Sequence, residues 1–283
     1  MKIIECPRDA LQGLKEFVPT ALKREYLQAL LEVGFDTLDF GSFVSPKAIP
    51  QMQDTAQVLE QLDLSATRTK LLAIVANVRG GQQAARYAPI QYIGFPLSLS
   101  EEFQRRNTHK TIAHALQEVA QIQEICVRSG KQLVTYLSMG FGNPYGEPWG
   151  PEQVAEMTQK LAALAIPVIS LSDTIGVSTP EHILTLFRAL IPAFPQVEFG
   201  AHLHTHPASW REKAEAVYAS GCQRLDGALL GYGGCPMAKD DLVGNMPTEK
   251  VLSFLQEKRV PLTLDQEALQ RALLLACHVF QAH

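Results

Sequence analysis

The sequence predicts an α/β chain folded as a (β/α)8 barrel with a C-terminal helical extension. Three observations carry that expectation. Short apolar runs alternate with longer amphipathic ones along the whole chain, which is the strand–helix alternation of a parallel sheet. The apolar runs number eight, and they read as continuous rather than alternating stretches, as strands buried on both faces do. The length of 283 residues, 46% of them hydrophobic, suits one such barrel. A doubly wound open sheet is the rival, but no G-x-G-x-x-G follows the first strand.

The elements follow in order. The first strand is "KIIEC" (residues 2–6), and "TALKREYLQALLEVG" (20–34) has helical periodicity. Strands are then expected at "DTLDF" (36–40), "LLAIV" (71–75) and "YIGF" (92–95). The long pattern "THKTIAHALQEVAQIQEICVRSG" (108–130) predicts a helix closed by Gly130 as its C-cap glycine. Strands five and six are "LVTYLS" (133–138) and "VISLS" (168–172). "TPEHILTLFRALIPAF" opens a helix with Thr179 as N-cap and Pro180 at the first turn. "EFGAHLH" (198–204) and "RLDGAL" (224–229) complete the count. From about residue 248, "TEKVLSFLQEK" and "DQEALQRALLLACHVF" read as helices packed outside the barrel. No interdomain linker, Pro/Ser-rich hinge or short repeat interrupts residues 1–283, so one catalytic domain is expected.

Composition narrows the function. A net charge of −4 argues against a nucleic-acid binder. No apolar run reaches the roughly 18 residues needed to cross a bilayer, and "MKIIECPRD" enters a strand without a signal-type apolar region. The five cysteines are scattered without C-x-x-C spacing, which fits a reduced, cytoplasmic setting in which any special cysteine is catalytic.

In a parallel barrel the functional residues sit at the C-terminal ends of the strands. Those ends carry Arg8 and Asp9, Asp39 and Ser42, Asn77, then Ser98, Ser100 and Glu101. They continue with Asp173 and Thr174, His202 and His204, and the glycine-rich "GYGGCPMAKDDLVGN". Residues two apart on a strand share a face, so His202, His204 and His206 point the same way by alternation. Two imidazoles, a carboxylate from Asp9 and an amide oxygen would make a mixed N/O site suited to Mg²⁺ or Mn²⁺. His206 precedes Pro207 and is expected past the strand end, in a rim role. Cys235, among glycines, reads from local sequence equally as a core filler or a functional thiol.

Five stretches, in order and spanning nearly the whole chain, resemble the 3-hydroxy-3-methylglutaryl-CoA lyases, metal-dependent TIM-barrel lyases. They are "PRDALQ", "SFVSPKAIPQM", "SLSDTIGVSTP", "HLH" and "GGCPMAKDDLVGN". The resemblance implies a divalent metal, Mg²⁺ or Mn²⁺, held by Asp9, His202, His204 and Asn245. It implies that Arg8 steadies the developing enolate and that Cys235 is the active-site loop cysteine protonating the enolate carbon. Asp173 becomes an acidic residue at the site, and Asp39 stands where the family usually has glutamate. Lys15 falls where the family places a lysine near the CoA phosphates, and Ser42, Asn77 and Thr174 are expected to join Arg8 and Lys15 in binding substrate. The implied reaction is metal-dependent cleavage of 3-hydroxy-3-methylglutaryl-CoA to acetyl-CoA and acetoacetate, as in leucine degradation, by a homodimer acting on an acyl-CoA. Asp173 or His202 would take the hydroxyl proton. The chain departs from the family at Ala10, usually glycine, and after His204, where "THPASW" replaces Asp-Thr-Tyr-Gly. Those departures leave a related lyase or aldolase, acting on another 3-hydroxyacyl-CoA or a 2-oxo acid, as the alternative.

Overall fold

Eight β-rich runs become eight parallel strands in the computed structural model, which describes residues 1–234 and 243–282. They are β1 (Lys2–Glu5), β2 (Thr37–Ser42), β3 (Lys70–Ile74), β4 (Ile90–Ser98), β5 (Gln132–Ser138), β6 (Val168–Asp173), β7 (Glu198–Thr205) and β8 (Arg224–Gly227). Each pairs with the next, and β1 pairs with β8 in the register Ile4↔Asp226, which closes the barrel. A short β9 (Gly244–Asn245) lies antiparallel on β7, with Asn245 opposite His204.

Between the strands run α1 (Pro7–Gln12), α2 (Thr20–Val33), α3 (Thr55–Glu60), α4 (Val78–Ala85), α5 (Glu101–Thr108) and α6 (Ile112–Ser129). The second half adds α7 (Pro151–Ala163), α8 (Pro180–Ala193), α9 (Trp210–Ser220), α10 (Thr248–Glu257) and α11 (Gln266–Ala282). Gly130 ends α6 in the left-handed region at φ 67°, as its C-cap position predicts, and Thr179 Oγ1 caps α8 by accepting from the His182 amide. The helix expected over 108–130 is instead divided. His109 turns left-handed at φ 57° and ends α5, and Thr111 restarts the chain as the N-cap of α6. Strand eight is also two residues shorter than expected. At Gly227 the chain runs so close to Met246 and Thr248 that a Cβ would lie 2.9 Å and 2.7 Å from their atoms. Because α10 follows β8, it completes the (β/α)8 count. The extension proper is α11, which packs on α2 with Phe280 edge-on to Tyr26 and stacked on Tyr232.

Apolar burial falls into two clusters. The larger one, including Leu30, Leu38, Phe95, Phe187 and Phe254, fills the space between strands and helices. Each such side chain contributes about 1.5–3 kcal/mol. The smaller one, Leu72, Tyr92, Val134, Tyr136 and Val168, fills the barrel interior. Above it the interior turns polar, with Asp39, Asp226 and His202 all buried, and this step positions the site.

Candidate metal centre and active site

Pro7 starts α1 directly after β1 and so swings Arg8 and Asp9 over the barrel mouth. Both are buried. Arg8 donates from Nε and Nη2 to Asp39, at 3.0 Å and 2.5 Å, and from Nη1 to Asp9 at 2.8 Å and Gln12 at 3.0 Å. A guanidinium has five N–H groups, so one Nη2 donor remains for a ligand. Burial works against the Asp9 charge, but Arg8, the two histidines and the Asn245 amide outweigh it and hold Asp9 at about 2. At Asp39 burial wins over Arg8 and lifts the carboxyl to about 6.

His202 and His204 leave β7 on one face, as the strand period dictates. Their partners fix their tautomers. The Thr174 carbonyl, 2.9 Å from His204 Nδ1, can only accept, so that nitrogen carries the proton. The Asp226 carboxylate, 3.2 Å from His202 Nδ1, does the same for the other ring. In the neutral ring each Nε2 then keeps the lone pair. His204 Nε2 is buried with no hydrogen-bond partner among the described residues, and Asp9 Oδ2 lies 3.9 Å from it. Burial and the neighbouring His202 push His204 below the ordinary imidazole value, whereas the Asp226 hydrogen bond overcomes burial and raises His202.

Ligand atoms of Asp9, His202 and His204 all lie within 4.8 Å of one another. Asn245 stands beside them, its Nδ2 donating to Asp9 Oδ2 at 2.7 Å and to the Tyr232 carbonyl at 2.8 Å. Its Oδ1 is then the atom it can offer a cation. A deprotonated carboxylate, two imidazoles that each offer Nε2 when neutral, and an amide oxygen fit a divalent cation, and a cation would satisfy the buried His204 Nε2. Each imidazole also has the outer acceptor that metal-bound histidines require.

Arg8, Asp9, His202 and His204 line a cavity of about 420 Å³, together with Thr174 and Gln12; Asn245, bonded to Asp9, is not in the lining. The rest of the lining includes the apolar Val44, Ala48, Ile49, Ile74 and Phe103, together with the polar Asn107, Thr108, Ser138 and Ser172. Thr174 Oγ1 accepts from the Met139 amide while its carbonyl holds His204. The remaining expected residues lie elsewhere. Asp173 does not line the cavity; its carboxylate accepts from the amides of Val177 and Ser178 and from Lys213. Asn77 is exposed and caps α4 by accepting from the Gly80 amide, the ordinary use of an asparagine before a helix. Ser42 is buried, its Oγ without a hydrogen-bond partner among the described residues, and lies off the cavity lining, and Lys15 is exposed in the chain after α1. His206 follows the end of β7, where its Nδ1 accepts from the Ala208 amide. Cys235 lies outside the described residues; Gly234, just before it, lines the cavity.

Three site residues escaped the sequence reading. Gln12 sits four residues after Arg8 on α1, a spacing that faces the two together. Asp226 is a carboxylate inside a buried strand, a signal in itself, but its pairing with His202 depends on the β7–β8 register. Lys213, 2% exposed, is a buried lysine on α9.

A closed parallel barrel with a two-histidine, carboxylate and amide site at its C-terminal mouth defines a TIM-barrel protein equipped for a divalent cation. The pattern of the HMGL-like family matches residues 2–275, and the chain belongs to that family. It is 32% identical over 256 residues to the mitochondrial hydroxymethylglutaryl-CoA lyase of Bos taurus, covering 90% of this chain and 78% of that one. It is 30% identical over 272 residues to the (R)-citramalyl-CoA lyase of Chloroflexus aurantiacus, covering 93% and 85%. The crystal structure of the HMG-CoA lyase from Brucella melitensis superposes with a TM-score of 0.90 at 29% identity, covering 99% of this chain and 98% of that one. The chain is thus a lyase of the HMGL-like family.

Proposed function

We propose that the protein cleaves 3-hydroxy-3-methylglutaryl-CoA to acetyl-CoA and acetoacetate. The observation that carries this reading is His204 Nε2, buried and without a partner among the described residues, beside Asp9 and within a cavity that also presents Arg8. Family membership and the named relatives add the thioester chemistry. A divalent cation, Mg²⁺ or Mn²⁺, held by Asp9, His202, His204 and Asn245, would acidify the tertiary hydroxyl and fix the substrate's orientation.

The chain's own groups do the rest. Arg8, locked between Asp39, Asp9 and Gln12, directs its remaining Nη2 N–H at the thioester oxygen, where charge gathers as the carbon–carbon bond breaks. Its orientation is set before substrate arrives, so little reorganisation is needed. The hydroxyl proton needs an acceptor. Asp173 is a poor one, since two amides and an ammonium already occupy its oxygens. His202 has Nε2 as its single lone pair, so it takes the hydroxyl proton only if Asp9, His204 and Asn245 hold the ion without it, and Asp226 behind it then strengthens its basicity. Cys235, next in sequence to the cavity-lining Gly234, is assigned the proton that converts the enolate to acetyl-CoA.

The citramalyl-CoA relative supports a second reading with the same bond chemistry on a shorter acid, giving acetyl-CoA and pyruvate. Purified protein with Mn²⁺ or Mg²⁺, offered each thioester separately, decides between them. Acetoacetate release, lost with EDTA, is the expected result; pyruvate release alone establishes the second reading, and turnover of neither overturns both.

A further inference from the structure

We propose that Lys213 is a positioning residue for the metal centre, holding His204 and the turn after β6 in one arrangement. This rests on the reading of Asp9, His202 and His204 as ion ligands. Lys213 is buried on α9, and its ammonium has three N–H donors. All three have acceptors: Asp173 Oδ2 at 2.9 Å, the His204 carbonyl at 2.9 Å and the Gly176 carbonyl at 3.1 Å.

The bonds form a closed circuit around one ligand. Asp173, held by Lys213, accepts from the amides of Val177 at 2.8 Å and Ser178 at 2.9 Å, which folds residues 173–178 into a tight turn. Gly176 takes φ +74° in that turn, a left-handed conformation. The same turn supplies the Thr174 carbonyl that accepts from His204 Nδ1. His204 is therefore gripped twice, its backbone directly by Lys213 and its ring through the turn that Lys213 clamps. Rotation of the ring would require the turn to move, and movement of the turn would strip acceptors from a buried ammonium, which is costly. The Asp173–Lys213 pair thus sets where His204 Nε2 points without touching substrate. Asp173 acquires a role in the site through His204, not as a base.

The test is Mn²⁺ binding to the full-length protein, read by the EPR signal of free Mn²⁺. Lys213→Met is expected to weaken binding about 10- to 100-fold, the usual loss when a ligand's outer partner is removed. Lys131→Met removes a buried lysine bonded to the Tyr87 and Ile90 carbonyls ahead of β5, at the opposite end of the barrel. It is expected to bind Mn²⁺ as the wild type does, which separates positioning from general loosening. Wild-type affinity in Lys213→Met, or equal weakening in Lys131→Met, overturns the proposal. If Lys213→Met does not fold, Asp173→Asn/Lys213→Met removes both buried charges, and wild-type affinity in that variant overturns it equally. Asp9→Ala keeps the two readings apart. If it binds Mn²⁺ like the wild type, the ligand assignment fails and the positioning role falls with it. If Asp9→Ala loses binding while Lys213→Met does not, only the positioning role fails.

Discussion

The two walls of the cavity obey different rules. On the wall built by α1 and β7, the polar side chains are held by named partners: Arg8 is tied to Asp39, Asp9 and Gln12, His202 to Asp226, and His204 to Thr174. On the second wall Val44, Ala48, Ile49, Ile74 and Phe103 offer apolar surface, with Asn107 and Thr108 on α5 as polar exceptions beside Phe103. Hydrogen bonds are directional and costly to leave unmade, so the first wall holds atoms at fixed points. Apolar contacts are non-directional and tolerate reshaping, so the second wall sets fit. On the proposed reading, reaction type belongs to the first wall and acyl preference to the second.

That division can be broken or sharpened by four measurements. Asp9→Ala is expected to abolish Mn²⁺ binding and lower kcat/KM by about 10³-fold or more, the several kcal/mol of charge stabilisation a bound cation supplies. Retention of wild-type acetoacetate release would dissolve the distinction between the walls. Asp226→Asn keeps the shape of the His202 partner but weakens the acceptor, and metal titration should show a loss of about 10- to 100-fold. On the apolar side, Ile49→Ala is expected to change the ratio of kcat/KM between the two candidate thioesters by about 10-fold. Its Mn²⁺ affinity should stay at the wild-type value; a weakened affinity would show that the walls are coupled.

The fourth measurement concerns the seam behind the polar wall. Burial lifts Glu5 to about 8 despite its bonds from Thr248 Oγ1 at 2.6 Å and the Leu229 amide at 2.8 Å. Folding therefore draws a proton onto Glu5 between its ordinary value of 4.5 and about 8. The stability gained by holding that proton is full in acid and drains away as pH rises through this window. Thermal melts should show Tm falling from pH 5 to pH 8 by more in the wild type than in Glu5→Gln, with no change in cleavage at a fixed pH. Parallel Tm curves would place the proton elsewhere.

Local order was readable and register was not. The alternation of His202 and His204 follows from the period of a strand, and Thr179 and Gly130 mark helix ends by chemistry within a few residues. Asn77 shows the opposite error. Its position at a strand end suggested substrate, but the same residue starts α4, and the backbone claims its side chain first. Asp173 looked like a base because it is a carboxylate at a strand end. Lys213, 40 positions further on, redirects it into a buried ion pair. The split at His109 was missed because helical periodicity continues through a break that Thr111 caps.

By itself the sequence determined the barrel and its strand count, because period, caps and composition are written along the chain; it set His202 and His204 on one strand face, while Asn245 entered the ligand set only through the family resemblance. The three-dimensional structure alone decided which lone pairs are free. Tautomers of His202 and His204 depend on acceptors from β8 and from the turn after β6, the last Arg8 donor depends on Asp39 and Gln12, and the grip of Lys213 depends on α9 packing against β7. Those partners meet only when the barrel closes, since a hydrogen bond is set by distance in space and not by separation along the chain.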